Sequence, residues 1–323
     1  MKTTMRKKIT VLTPCFNEEE AIRECYERVR HVFCEDLHGY DYEHLFIDNC
    51  SQDSTVKILK EIAASDGNVK IIVNSRNYGM SRSPYHGMLQ MNSDAVVPLV
   101  ADLQTPPELI PVFVRKWEEG YKMVLGIRTG MEEGWLLRLA RYFFYAIMAR
   151  LSDVEQIRHF IGFGLFDKKI IQIMKDLDEP TPYFRGIVSE IGFEKAFVEY
   201  HQPERRHGKT RHGFFDLLEY AILGLTSYSK VPLRIMTIIG VVMAAASVAI
   251  SVLYLGLKLM FWDTFGLGIA PLLIGFFFFV SVQLLFLGLL GEYVGLIFEK
   301  VRNRPLVIEK ERVNFDSTPL DDQ

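Results

Sequence analysis

Two stretches in the last quarter of this chain hold no charged residue, one between Arg234 and Lys258 and one between Asp263 and Glu292. Each exceeds the ~20 residues a helix needs to cross a bilayer. The sequence therefore predicts two transmembrane helices, at about 234–258 and 264–291, within residues 232–298. The preceding residues read as a water-soluble α/β domain over 1–212, and 299–323 read as a cytosolic tail. Of the 323 residues 49% are hydrophobic, a high share for a purely soluble protein, and the two apolar runs account for it.

Basic residues flank the runs unevenly. Lys230 and Arg234 precede the first, and Lys300, Arg302, Arg304 and Lys310 follow the second. The connecting loop offers Lys258, with Asp263 near it. By the positive-inside rule the soluble domain and both chain ends face the cytosol. The expected location is the inner (cytoplasmic) membrane, as a multi-pass protein. A net charge of −3 gives no reason to expect nucleic acid. Cys15, Cys25, Cys34 and Cys50 lack CxxC spacing, so zinc is not indicated and reduced thiols are expected. Met1 to Lys8 is basic, but a strand follows it rather than the apolar core of a signal peptide.

Strands are expected at 8–14, 43–48, 69–74, 95–100 and 121–127. Helices are expected at about 18–34 (with Asn17 as N-cap), from 51–55 to 64, at 83–92, and from Pro106 to about 119. Pro98 weakens the fourth strand, because proline sits poorly inside a sheet. This alternation implies a mainly parallel sheet covered on both faces. Such sheets bind ligands beyond the carboxyl ends of their strands. Polar clusters fall at those ends: Asn17 and Glu18; Asp48, Asn49 and Asp53; Arg76, Asn77 and Gly79; Asp102 and Gln104; and Arg128. A lone acid after a strand is ordinary loop solvation, but five clusters at one edge point to a shared crevice. No GxGxxG, Walker lysine, HExxH or GxSxG motif is present.

Thr13-Pro14-Cys15-Phe16-Asn17-Glu18-Glu19, Asp48-Asn49-Cys50-Ser51-Gln52-Asp53-Ser54-Thr55 and Ala101-Asp102-Leu103-Gln104-Thr105-Pro106-Pro107 together resemble inverting family 2 glycosyltransferases of the GT-A fold. Within that family the chain is similar to the polyprenyl-phosphate glycosyltransferases. The likeness extends through Ser75-Arg76-Asn77-Tyr78-Gly79, the 205–211 segment, Pro232-Leu233-Arg234 and the paired apolar runs. It implies inverting transfer of one sugar from a nucleotide-sugar donor, with UDP favoured, to a polyprenyl phosphate. It places Pro14, Phe16, Glu18, Asp48, Asn49, Ala101, Asp102 and Gln104 on the donor, and Mg²⁺ or Mn²⁺ on Asp102 and Gln104. The chain departs from the family pattern at Asn49 and Val100, where the family carries acids. It departs again at Gly162-Phe163-Gly164-Leu165-Phe166-Asp167, where a family acid is missing. An acceptor that is already an ionised phosphate needs positioning and charge neutralisation rather than a base.

Residues 135–151 read as an amphipathic interfacial helix that places Arg138 and Arg141 on one face. With Arg128 and Asp102 they form the expected catalytic set, the arginines gripping a phosphate; snorkelling at the interface is the competing reading for the pair. Pro203 to Gly213 is a glycine-punctuated cationic loop. The resemblance places its Arg205, Lys209 and Thr210 on the donor, while attraction to anionic lipid is the plainer reading. Residues 213–231 read as a juxtamembrane amphipathic helix. Gly291 and Gly295 form a Gly-xxx-Gly pair that suits either a homo-oligomer or close approach within the hairpin. Two rival functions stand beside the transferase: a glycolipid-extending enzyme of the same fold, and a membrane-anchored nucleotide-sugar-binding subunit with a degenerate site.

Overall fold

The computed structural model describes residues 6–129, 157, 159–202, 231–261, 269–302 and 304–315. Five strands come in the expected order: β1 (Lys8–Cys15), β2 (Asp41–Asp48), β3 (Val69–Asn74), β4 (Ala95–Pro98) and β5 (Met123–Thr129). The helices between them are α1 (Ile22–Glu35), α2 (Thr55–Ser65), α3 (Gly79–Leu89) and α4 (Ile110–Glu118). Three further strands join the sheet, β6 (Phe160–Asp167), β7 (Lys195–His201) and β8 (Glu309–Val313). Two short helices, α5 (Lys168–Leu177) and α6 (Phe184–Glu190), lie between β6 and β7. The long helices α7 (Val231–Met260) and α8 (Ile269–Val301) precede β8.

The sheet has eight strands in the order β7-β5-β6-β4-β1-β2-β3-β8. β1 is parallel to β2 and β4, β2 to β3, and β5 to β7. β6 is antiparallel to both β4 and β5, so β5 and β7 run in the same direction as β1. β8 is antiparallel to β3. Only β6 and β8 run against the rest, so the mainly parallel sheet expected from the sequence is present with two antiparallel strands added. The carboxyl ends of β1 to β5 and the start of β6 nonetheless share one edge.

Period-two alternation sends β1 side chains to opposite faces. Ile9 and Val11 meet Val29 and Phe33 of α1 and Phe113 of α4, whereas Leu12 joins Tyr85 and Met88 of α3 and Ile170 of α5. α1 buries Ile22, Cys25, Tyr26, Val29, Val32 and Phe33, the spacing of a single helical face. Gly87 lets α3 press on the sheet, because a Cβ there would lie 2.7 Å from Leu12 Cδ1.

Pro98 closes β4 without loss. The Leu99 N–H turns toward β1 and donates to Leu12 O, so the proline nitrogen faces β6, whose pairing with β4 covers Ala95 and Val96. Asn17 does not cap α1, which starts at Ile22 with Ala21 before it. Residues 309–313, read from sequence as tail, form the sheet's outer strand.

The stretch Gly275–Val301 of α8 is long and apolar enough to cross a membrane. Among the described residues it alone meets that measure; α7 carries a shorter apolar stretch, Ile235–Ser247. Both helices expose large apolar side chains, among them Ile238, Val241, Leu253, Phe277, Leu285 and Ile297. A Cβ at Gly288, Gly291 or Gly295 would meet no atom within 4 Å among the described residues. The expected interfacial helix at 135–151 lies outside the described residues, as does the one at 213–231 apart from Val231, which begins α7.

Candidate functional site

The loops at the carboxyl edge are laced to one another by side chains. After β1 the backbone turns left-handed at Asn17 (φ 55°), and after β2 at Cys50 (φ 68°). The Asn17 N–H donates to Ser51 Oγ at 2.8 Å, and Gln52 N–H donates to Asn17 Oδ1 at 2.7 Å. The Glu18 N–H donates to Thr55 Oγ1, Glu19 N–H to Asp53 Oδ2, and Ser54 N–H to Glu19 Oε2. Residues 18–21 are therefore drawn to the second loop, which delays the start of α1. Burial pushes the Asp53 carboxyl up, but bonds from the Thr55 hydroxyl and from backbone amides outweigh it and hold the group below its usual range.

Asp48 ends β2 fully buried. Burial pushes its carboxyl up, against bonds from the Ser51 hydroxyl and amide that favour the charged form. Asn49 follows and is 8% exposed. Its Nδ2 donates to Asn77 Oδ1 at 2.9 Å and to Gly79 O at 3.1 Å. Its Oδ1 accepts from Asn74 Nδ2 at 3.1 Å and from the Tyr78 N–H at 2.9 Å. That is the full bonding capacity of a side-chain amide. The side chain that sequence placed on the donor thus ties the loop after β2 to the loop after β3.

After β4 the chain turns through Leu103 (φ 59°). The Gln104 N–H donates to Asp102 Oδ1 at 3.1 Å, and Val100 N–H to Thr105 Oγ1 at 3.1 Å. Asp102 and Gln104 are half-buried, whereas Ala101 is packed beneath them with Cys15 and Tyr26. Pro14, Phe16 and Glu18 are also half-buried at this edge. Arg128, near the end of β5, donates from Nη1 to Gln202 Oε1 at 2.6 Å, beyond the end of β7. His159, leading into β6, is left-handed as well (φ 60°). Left-handed non-glycine residues are uncommon and cost energy. Four of them on one edge mark the loops there as held in shape rather than relaxed.

The position of the missing acid is Gly162 in β6, at the same edge, with φ 105°. That backbone conformation excludes an aspartate at ordinary cost. The nearest acid on the strand, Asp167, is at the opposite edge. There it caps α5 and accepts from Trp117 Nε1 at 2.8 Å and from Lys122 Nζ at 3.0 Å.

No group of three or more His, Cys, Asp or Glu residues suited to a metal ion occurs among the described residues. The loop after β4 supplies a carboxylate, Asp102, and an amide oxygen donor, Gln104, close together on a turn closed by the Gln104 N–H to Asp102 bond. Mg²⁺ is commonly held by one or two carboxylates together with substrate phosphates, so this set fits a cation shared with a diphosphate rather than a protein-only cage. The expected phosphate-gripping residues Arg138, Arg141, Arg205, Lys209 and Thr210 lie outside the described residues.

A family model described as "Glycosyl transferase family 2" matches residues 10–174. Over 312 residues, 96% of each chain, the protein is 34% identical to "Uncharacterized glycosyltransferase YkcC" of Bacillus subtilis. It is 35% identical over 308 residues, covering 94% of this chain and 98% of the other, to "SfII prophage-derived bactoprenol glucosyl transferase" of Shigella flexneri. It is 30% identical, over 92% of this chain and 90% of the other, to "Undecaprenyl-phosphate 4-deoxy-4-formamido-L-arabinose transferase" of Shewanella sediminis.

Proposed function

The chain belongs to glycosyl transferase family 2, and from that we propose that it transfers a single sugar from a nucleotide-sugar donor, UDP-linked by preference, to a polyprenyl phosphate at the cytosolic face of a membrane. The observation that carries this reading is the meeting of Asp48, Asp102, Gln104 and Arg128 at one sheet edge. They do so in a chain that aligns almost end to end with relatives named for transfer to bactoprenol and undecaprenyl phosphate.

The chemistry follows from the charges. A phosphate acceptor is already anionic near neutral pH, so its oxygen can attack the anomeric carbon without a base. This suits an edge where Gly162 offers no carboxylate and Asp167 faces away. Attack opposite the leaving nucleotide inverts the configuration. Arg128 lends positive charge where the phosphate must approach, and Asp48 and Glu18 line the donor's side. Asp102 and Gln104 would hold Mg²⁺ or Mn²⁺, which when bound neutralises charge on the leaving diphosphate. Arg138, Arg141, Arg205, Lys209 and Thr210 are proposed to close over the two phosphates.

The membrane part of the reading rests on parity. β8 follows α8, yet it pairs with β3 in the same sheet as β1. If α8 crosses the membrane, the chain must cross it a second time between His201 and Ile269 to bring β8 home. α7 lies in that interval, so a two-helix hairpin is the proposed anchor.

The test uses purified full-length protein in detergent with undecaprenyl phosphate, Mn²⁺ or Mg²⁺, and a panel of UDP- and GDP-sugars. Lipid-dependent release of nucleoside diphosphate from one donor is expected, and it names the sugar. Asp102→Asn keeps the oxygen that accepts from Gln104 and loses the charge. It should lower kcat/KM by about 100-fold or more while leaving the urea midpoint in place. A parental rate in that variant would remove Asp102 from the site.

A further inference from the structure

A cavity of about 430 Å³ lies where the end of α8 meets the loop after β3. It is lined by Arg76 and Tyr78 of that loop, Arg82 of α3, Glu299 of α8, and Arg302 and Arg304 just beyond α8. Its size falls in the ~300–1,000 Å³ range of small-molecule sites. Four arginines face one glutamate. Arg82 pairs with Glu299 at 3.1 Å. Arg76, Arg302 and Arg304 make no salt bridge among the described residues, and Arg302 and Arg304 are exposed. Arg76 stacks over the Tyr78 ring at 4.0 Å, which fixes its guanidinium and leaves the charge in place.

Three unbalanced guanidinium groups around one cavity suit a phosphate, which their forked donors match in shape and charge. The position narrows the source. Arg302 and Arg304 begin where the apolar stretch Gly275–Val301 ends, and the exposed Ile308 adds an apolar lip. Basic residues immediately beyond a membrane span meet the negative lipid surface.

We propose that this cavity binds the phosphate headgroup of an anionic glycerophospholipid, at a place distinct from the reacting centre. β1 and β2 stand between β3 and β4, so three strand spacings, about 14 Å, separate the cavity's loop from Asp102. The loop is not isolated from the donor edge. Its Asn77, Tyr78 and Gly79 are held by Asn49. A lipid seated on Arg76 therefore touches the segment that Asn49 anchors.

The experiment titrates the purified full-length protein, in a neutral detergent, with short-chain phosphatidylglycerol, short-chain phosphatidylcholine and inorganic phosphate. Binding is read directly and by thermal unfolding midpoint. Phosphatidylglycerol should bind at least tenfold more tightly than phosphatidylcholine. The double variant Arg302→Gln/Arg304→Gln should lose at least tenfold of that affinity, and Arg302→Lys/Arg304→Lys should recover part of it. Arg76→Gln, on a different element, should weaken binding too. Lys116→Gln, at the C-terminal end of α4, should not. Inorganic phosphate binding as tightly as the lipid would keep the phosphate site and assign it to a soluble phosphate. Undiminished phosphatidylglycerol binding in both glutamine variants, or equal affinity for the two lipids, would overturn the proposal. None of these readouts depends on sugar transfer, so a failure here is separable from a failure of the proposed reaction.

Discussion

Asn49 shows how one side chain can settle the shape of a donor edge. Its amide gives two hydrogen bonds and takes two, joining β2's exit to Asn74, Asn77, Tyr78 and Gly79. An aspartate has the same outline but cannot donate, so two acceptors, Asn77 Oδ1 and Gly79 O, would face a carboxylate. Asn49→Asp should therefore cost about 1–3 kcal/mol of stability, seen as a lower urea midpoint, with weaker donor binding alongside it. An unchanged midpoint would show that the loop after β3 does not depend on this amide. The departure from an acid at this position is thus matched by a local network, and the glycine at 162 is matched by its positive φ. Neither match is visible in the sequence. The amide's partners come from residues 25 to 30 positions away, and the dihedral angle arises from a register shift where β5 pairs with β6. What the sequence does make visible is the set of strand ends. Asp48, Asp102 and Arg128 follow apolar runs directly, and the edge they share is set by strand direction alone.

At the scale of elements, β8 is held by charge. Glu309 bonds His86 Nε2 at 2.6 Å and pairs with Arg312, while Lys60 reaches Glu311 at 2.7 Å. Burial alone would raise the Glu309 carboxyl, but His86 and Arg312 outweigh it and pull it down to about 2. The folded value lies below the unfolded one. This contact's stability is thus complete above the ordinary carboxylate range and fades as pH falls from about 4.5 toward about 2. In that window Glu309→Gln should flatten the loss of stability relative to the parent, and hydrogen exchange at β3 and β8 should report it. Identical acid profiles for parent and variant would rule out Glu309 as the group that titrates. The same chemistry explains why β8 escaped sequence reading. Glu-Lys-Glu-Arg-Val has no apolar alternation, because an outer strand with charged side chains is how a sheet ends without inviting another. β1, β2 and β3 are legible for the opposite reason: covered on both faces, each carries a buried apolar run, such as Leu45-Phe46-Ile47 of β2 and Ile71-Ile72-Val73 of β3. β7 buries Ala196 and Tyr200 while Phe197 is 57% exposed, which blurs its pattern. The start of α1 was misplaced because Glu18 and Glu19 serve the neighbouring loop first.

For the whole molecule, the long helices and the sheet are one closed circuit, since the chain leaves the sheet at β7 and rejoins it at β8. The proposed hairpin anchor predicts opposite sides for residues 262–268 and the residues after α8. With a membrane-impermeant thiol reagent on intact cells, Thr264→Cys should be labelled and Arg304→Cys protected. The native cysteines Cys34 and Cys50 of the soluble domain provide an internal control for protection. Labelling of both engineered sites, or of neither, would contradict the hairpin. The late return of β8 also sets an order of manufacture. On the ribosome β3 is finished early, yet its outer edge gains a partner only after both long helices have been made. Until then the nascent domain carries an open strand edge, so the sheet is completed only after α7 and α8 have been made. Under the proposed hairpin, assembly of the sheet would become a checkpoint on membrane insertion.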